Sequence, residues 1–185
     1  MKISPLQLVH LAFRRVHVAV DVDHMEVAQQ DGADAHSMLE GVLIKSEVGV
    51  TLLEEDDPRG VPYLVTLRVC IDNVHGEDDR DRRFSPYLID IEAGGKIVLG
   101  KGSERLGDPE DLIAVNGPAL LWSAIRDQVA NLTARMPLGY AMLPSVNFFD
   151  LKKARPAPPI PAPESALAAP VTKRKRASKA ATPQP

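Results

Sequence analysis

The sequence is poor in the residues that most often carry covalent chemistry or stacking. Its single cysteine, Cys70, offers neither an intrachain disulfide nor a cysteine-based zinc cluster. Aromatic residues account for 4% of the chain, and none lies among the basic residues near the C terminus. No run of about 18 apolar residues is present, so we expect no membrane-spanning helix. Residues 1–16 lack the continuous apolar run of a signal peptide. Together these absences predict a cytoplasmic protein.

Motifs for nucleotide, metal or nucleophilic chemistry are incomplete. Residues 95–102, GKIVLGKG, approach the phosphate-binding pattern G-x-x-x-x-G-K-[ST], but Gly102 stands where the hydroxyl for magnesium is required. On a regular extended strand His10 and His17 point to opposite faces, and the histidines lack a ligand framework for zinc. The serines lie in no nucleophile-elbow motif. We therefore predict a protein that is not an enzyme, with no catalytic residue, metal site or cofactor.

The charges are distributed unevenly along the chain. From Lys152 onward there are eight Lys or Arg residues and one acid, Glu164, whereas the preceding residues include 14 basic and 24 acidic ones. An acidic body repels nucleic acid in general, which argues against a DNA-binding domain. The run KRKR at 173–176 has no interleaved aromatic residue, so we favour a non-specific electrostatic role over a nucleic-acid site. A docking segment for an acidic partner is an alternative.

Period-two alternation of apolar residues predicts four strands. The first spans residues 6–20, with a slip in the alternation at Arg14 and Arg15 that is typical of a bulge. The others span Val42–Leu52, Tyr63–Ile71 and Tyr87–Ala93, with a long crossing loop at 21–37 and a loop after Gly94. Short connections favour antiparallel pairing. Because the helices follow the strands, we predict an α+β fold with the helices on one face of an antiparallel sheet.

Helical periodicity marks residues 118–134 as the main helix. Asn116 suits an N-cap, Pro118 fits the first turn, and a separate short helical piece is expected at Pro109–Val115. Besides its apolar face, the helix carries a second row of small residues, which would let another backbone approach closely. We predict this small-residue stripe as an oligomer interface; its members are Ala119, Ser123, Ala130 and Ala134.

The C-terminal part changes composition. A short helix is expected from about Asn147, and Pro156 stops it. Proline-rich and basic residues then follow, with too few large apolar side chains to offset the entropy of ordering. We predict one domain at residues 1–153 and a disordered tail at 154–185. An apolar sheet, a helix with two surfaces and a long loop suggest a protein that holds an extended apolar ligand.

A family resemblance supports this interpretation. The segment LLWSAIRDQVANLTARMPLGYAMLPSVNF resembles the helix, loop and Pro-Val-Asn-Phe ending of the SecB family of export chaperones, and the similarity extends through YLVTLRVCI and LIDIEAGG to cover residues 4–151. The resemblance implies an ATP-independent holdase that assembles as a homotetramer, a dimer of dimers, and binds unfolded preproteins in apolar grooves. It also implies client-binding residues, which match Met25, Val48, Val50, Tyr87 and Phe148.

The resemblance further implies a docking face for the SecA ATPase. Leu88 and Asp90 match a leucine and an acid of that face, whereas His10 and Arg14 stand where acids are expected, which should weaken docking of a basic partner. Two alternatives therefore stay open. The chain could be a SecB-like chaperone dedicated to an antitoxin of a toxin–antitoxin system, or a nucleic-acid-associated regulator that acts through its basic tail.

Overall fold

A computed structural model describes residues 4–24 and 39–152, together with the backbone of residues 36–38. One long helix, α1, spans Pro109–Thr133. The strands are β1 Leu6–Val20, β2 His36–Met38, β3 Lys45–Leu52, β4 Gly60–Ile71, β5 Tyr87–Gly100 and β6 Tyr140–Met142. Short 3₁₀ turns lie at Glu77–Asp79, Ser103–Arg105 and Phe149–Leu151. None of the helices in this part of the chain is long and apolar enough to cross a membrane.

The main sheet has four antiparallel strands in the order β1-β5-β4-β3, and β2 and β6 form a small parallel pair. Helix α1 packs on one face of the four-stranded sheet, so the predicted α+β architecture is confirmed. The bounds of β1 and its bulge at Arg14 are also as predicted. A second bulge, at Val9, was not foreseen.

The bulge at Arg14 corrects the prediction for the two histidines of β1. His10 pairs with Lys96 and His17 pairs with Asp90, and both partners lie on the face of β5 that points away from α1. The two histidines therefore share the outer face, because the extra residue between them reverses the alternation. Even so, no cluster of three metal-ligating side chains occurs among the residues that the structure describes.

Strand β5 is longer than its sequence suggests. Gly94 and Gly95 were predicted to end the strand, yet the ladder with β4 continues to Gly100. A Cβ at position 95 would lie 2.7 Å from Leu8 Cδ1 and 3.0 Å from Leu121 Cδ2. A side chain at position 95 would force Leu8 and Leu121 to shift, so close packing of these neighbours favours glycine here. The phosphate-loop-like segment consequently lies mostly within a strand, and it leads into the single 3₁₀ turn Ser103–Arg105 instead of an α-helix.

Helix α1 begins earlier than predicted. Its N-cap is Asp108, whose Oδ1 accepts a hydrogen bond from the Glu110 backbone N–H at 3.0 Å. The expected break at Asn116 does not occur, and Pro118 lies inside a single helix. Gly117 brings this part of the helix close to the sheet, since a Cβ there would lie 3.0 Å from Val65 Cγ2. Tertiary packing therefore holds together two segments that local signals separate.

The core lies between the sheet and α1. Its helix members are chiefly Leu121, Trp122, Ile125 and Val129, and they pack on the buried residues of β4 and β5. After α1 the chain returns through β6, where the Thr133 hydroxyl accepts a hydrogen bond from the Ala141 N–H at 2.9 Å. Trp122 Nε1 donates to the Pro144 carbonyl at 3.0 Å, which anchors the last segment.

Other element boundaries differ in detail. The predicted second strand begins at Lys45, and Val42 forms only an isolated bridge with Arg83. Part of the predicted crossing loop forms β2, and the predicted final helix is a single 3₁₀ turn, Phe149–Leu151. The predicted boundary at residue 153 and the disorder predicted for 154–185 lie outside the described residues and stay predictions.

Candidate functional site

An apolar cleft lies between the sheet and the N-terminal half of α1. Its volume is about 340 Å³. The cleft is bounded by the end of β3, by β4, by the first turns of α1 and by the 3₁₀ turn at 149–151. We call it the β3–α1 cleft; it is lined by Val50, Leu52, Tyr63, Glu110, Asp111, Ile113, Ala114 and Leu151.

The cleft combines a buried floor with exposed walls. Tyr63 and Ile113 form the floor and belong to the hydrophobic core. On the walls, Leu52 is 57% exposed, Leu151 41% and Val50 39%. Val50 and Leu52 are directed to the core side of the sheet because they pair with the buried residues Val65 and Tyr63. Large apolar side chains that continue the core surface into solvent are typical of an interaction site.

The electrostatics of the cleft are set by acids at the start of α1. Glu110 and Asp111 are the two acidic residues that line it. The pKa of Tyr63 is raised above its ordinary value, first by burial and then by the negative charges of Glu110 and Asp108. The field of these acids therefore reaches the floor of the cleft. An anionic group would be disfavoured there and a cationic one favoured.

The structure separates the predicted client-binding residues. Val50 lies in the β3–α1 cleft, and Val48 is half-buried on the same face of β3. Tyr87 is fully buried, and its hydroxyl donates to the Gly139 carbonyl at 2.6 Å, so its ring is not presented to solvent. Phe148 is buried against Trp122 in an edge-on contact with ring centroids 6.2 Å apart. Met25 lies outside the described residues.

Leu52, Ala114 and Leu151 line the cleft but were missing from the predicted set. Leu52 follows the same period-two pattern as Val48 and Val50, so that signal was available. The position of Leu151 depends on how the chain returns after Pro144, which no local pattern specifies. Ala114 was assigned to a separate short helix, which concealed its position on α1.

A second apolar surface lies at the other edge of the sheet. Leu8, Leu11 and Val16 are exposed, yet their partners in β5 place them on the core side of β1. We call these three residues the β1 apolar surface. The small-residue stripe of α1 is accessible as well, since Ser123 and Ala134 are exposed and Ala119 and Ala130 are half-buried.

The residues matched to the SecA-docking face lie on or reach the outer side of the sheet. Asp90 Oδ1 accepts from Arg68 Nε at 2.8 Å, and Asp90 Oδ2 accepts from Arg15 Nη1 at 2.7 Å. The hydrogen bond from Arg68, followed by that from Arg15, lowers the pKa of Asp90 to about 2. This carboxylate is therefore already neutralised by two guanidinium groups of the same chain.

The other three residues of that predicted face have different surroundings. Leu88 is half-buried, and His10 is exposed. The exposed side chain of Arg14 forms an ion pair with Glu92, with Nη1 and Oε1 3.4 Å apart. A basic partner would thus meet arginines that already occupy the acids of this surface.

Comparisons with known proteins find distant similarities to solved structures. Neither a protein-family model nor a curated protein matches this sequence. The chain is similar to a crystal structure of a protein of unknown function from Streptococcus agalactiae, with 12% identity and a TM-score of 0.40, covering 71% of this chain and 89% of that one. It is also similar to a SecB-like chaperone from Mycobacterium tuberculosis in complex with a ChAD peptide from the HigA1 antitoxin. There the identity is 16% and the TM-score 0.40, covering 76% of this chain and 89% of that one.

Proposed function

We propose that this protein is an ATP-independent holdase that binds unfolded polypeptides in the β3–α1 cleft. The observation that carries the proposal is the continuity between the core floor of the cleft and the exposed walls formed by Val50, Leu52 and Leu151. A folded protein gains nothing by exposing these side chains to water. A client that covers them gains roughly 25 cal/mol per Å² of apolar surface removed from water.

The lining of the cleft suits binding without chemical selectivity. Its polar groups are the carboxylates of Glu110 and Asp111 and the hydroxyl of Tyr63, and the rest of the lining is apolar. Such a surface contacts any extended apolar segment, because hydrophobic burial is non-directional. This property fits a chaperone that accepts many unfolded chains.

The proposal is tested by suppression of aggregation. A chemically denatured client is diluted into buffer without nucleotide, and light scattering is followed with and without the protein. We expect the native chain to suppress scattering and Leu52→Glu to lose most of this activity, since it places a charge on a cleft wall. The matched control is Leu106→Glu, because Leu106 is 64% exposed but does not line the cleft. Equal activity of the two variants would contradict the proposal.

We also propose assembly as a dimer of dimers. The small-residue stripe of α1 and the β1 apolar surface are two separate accessible surfaces, and such an assembly needs two kinds of contact. Packing of the stripe against a second α1 would bring two helix backbones close together.

The client is either a range of unfolded preproteins or a single antitoxin. A competition binding experiment distinguishes these two possibilities. A general chaperone should lose a labelled preprotein to any unfolded competitor, whereas a dedicated one should resist all but its own client. A role in export would further require the SecA ATPase, and the pairing of Asp90 with Arg15 and Arg68 predicts weak retention of SecA in a pull-down.

Truncation after Leu151 distinguishes a holdase from a nucleic-acid-associated regulator that acts through its basic tail. We expect the shortened chain to suppress aggregation as well as the full chain, provided that its circular dichroism spectrum is unchanged. A nucleic-acid regulator that acts through the basic residues 152–185 would instead lose its ligand.

A further inference from the structure

We propose that the client binds as an added strand along the outer edge of β3, an inference that rests on the proposed holdase function. Within the described part of the chain, β3 is the last strand of the sheet and pairs only with β4. An outer strand presents a row of backbone N–H and C=O groups without strand partners. These groups match the backbone of any extended polypeptide, irrespective of its sequence.

The two edges of the sheet differ in their suitability for this role. The register between β3 and β4 is unbroken from the pair Lys45–Cys70 to the pair Leu52–Tyr63. A regular ladder on one side of β3 leaves a regular row of groups on the other. By contrast, β1 is interrupted by bulges at Val9 and Arg14, and bulges twist an edge away from regular pairing.

The side chains of β3 predict the sequence pattern of the added strand. Val48, Val50 and Leu52 lie on the core side, whereas Lys45, Glu47 and Thr51 lie on the outer side. An added strand has the same alternation, because successive side chains of a strand point to opposite faces. Every second residue of the client would therefore face the β3–α1 cleft and should be apolar, and the residues between should be polar.

The core-side residues of an added strand would contact the β3–α1 cleft. Ala114 and Leu151 line the same cleft as Val50 and Leu52, so the core-side side chains of a strand beside β3 would extend this apolar surface. We therefore commit to one occupant, which is an extended segment of unfolded polypeptide whose alternate residues are apolar.

Backbone methylation tests the inference directly. The probe is a fluorescein-labelled ten-residue peptide of alternating valine and threonine with a terminal lysine, titrated against the full chain by fluorescence anisotropy. Two further peptides carry N-methyl groups on either three valines or three threonines. In a strand at an edge, the N–H groups of alternate residues point to the sheet and the others point to solvent. The alternating side chains fix the register, because a slip by one residue would turn the valines away from the cleft.

We expect one methylated peptide to bind at least tenfold more weakly than the parent and the other to bind within about threefold of it. Which of the two fails gives the direction of the added strand. Equal binding by both methylated peptides, whether weakened or not, would overturn strand addition while leaving the holdase function intact. A parent peptide and an unfolded protein that both fail to bind would overturn the proposed function itself.

Hydrogen exchange on the protein gives an independent readout. Binding of the parent peptide should slow exchange at alternate amides of residues 45–52, those that point away from β4. Packing of the peptide on side chains alone would leave these amides as they are in the free protein, and that result would overturn the inference.

Discussion

Gly95 of β5 lies directly beneath Leu121 of α1, and a Cβ on that glycine would come within 3.0 Å of Leu121 Cδ2. The same Cβ would lie 2.7 Å from Leu8 Cδ1 and 3.2 Å from the His10 carbonyl oxygen. The absence of a side chain at Gly95 therefore lets Leu121 and Leu8 pack closely on β5 where β1, β5 and α1 meet. Gly94, one residue earlier, points to the outer face, where the nearest atom would be 3.7 Å away.

We predict that Gly95→Ala destabilises the protein by about 1–3 kcal/mol, because the added methyl group overpacks a site bounded partly by backbone. Gly94→Ala should change stability by less than about 0.5 kcal/mol, since its methyl group meets only ordinary contacts and strand residues other than glycine are tolerated. Urea unfolding of both variants measures the difference. A Gly95→Ala variant as stable as Gly94→Ala would show that α1 does not pack as closely as described.

Tyr87 is predicted to stabilise the fold rather than to bind clients. Its hydroxyl donates to the Gly139 carbonyl, so Tyr87→Phe should cost about 1 kcal/mol through the unpaired carbonyl. Client affinity should be unchanged, because the ring is fully buried. Thermal unfolding and aggregation suppression are measured on the same sample. A variant of native stability with weakened client binding would restore Tyr87 to the binding surface that the resemblance implied.

Asp90, on the outer face of the sheet, should make the stability of the fold depend on pH. The pKa of Asp90 is lowered from 3.8 to about 2, chiefly by Arg68 and then by Arg15. A depressed pKa means that the stabilisation is complete above pH 4 and is lost as the pH falls toward 2. Asp90→Asn should therefore be less stable than the native chain by about 1 kcal/mol at pH 7, as expected for a partly exposed ion pair.

The comparison across pH is the decisive part of that experiment. The difference in unfolding free energy between the native chain and Asp90→Asn should shrink between pH 4 and pH 2. A difference that stays constant over this range would mean that the ion pairs with Arg15 and Arg68 are absent in solution.

Assembly is predicted to depend on the small-residue stripe of α1. Replacement of Ser123 or Ala130 by arginine should block close approach of a second helix and convert the proposed tetramer into smaller species. Asn131→Arg is the control, because Asn131 is an exposed residue of α1 outside the stripe. Light scattering coupled to size-exclusion chromatography gives the masses. A native chain that is monomeric at micromolar concentration would refute the predicted assembly.

The alternation of apolar and polar residues along the strands made much of the fold predictable. The bounds of β1 and the C-terminal end of β4 followed from period two, and the antiparallel pairing of β3 with β4 and of β4 with β5 followed from short connections. The pairing of β1 with β5 brings together residues far apart in the sequence and was not predicted. The features that escaped prediction are those that depend on distant contacts. Gly94 and Gly95 resemble a strand end locally, and only the approach of Leu121 explains a glycine inside β5.

The start of α1 escaped prediction for a similar reason. Asn116 and Pro118 form a plausible helix beginning, yet packing of Gly117 against Val65 keeps the preceding turns in line with the rest of the helix. At the candidate site, Val50 was found by its periodicity, whereas Leu151 depends on a chain return that is fixed by the hydrogen bond from Trp122 to Pro144. The resemblance singled out Tyr87 and Phe148 but did not reveal that both are buried.

The most direct measurement is photo-crosslinking from the walls of the cleft to an unfolded client. A photoreactive benzoyl-phenylalanine is placed at position 52, 151 or 106 in separate full-length variants, and each is irradiated with a labelled denatured protein. Positions 52 and 151 should crosslink strongly, because both line the β3–α1 cleft, whereas position 106 should not. Crosslinks that form equally at all three positions, or only at position 106, would contradict the account.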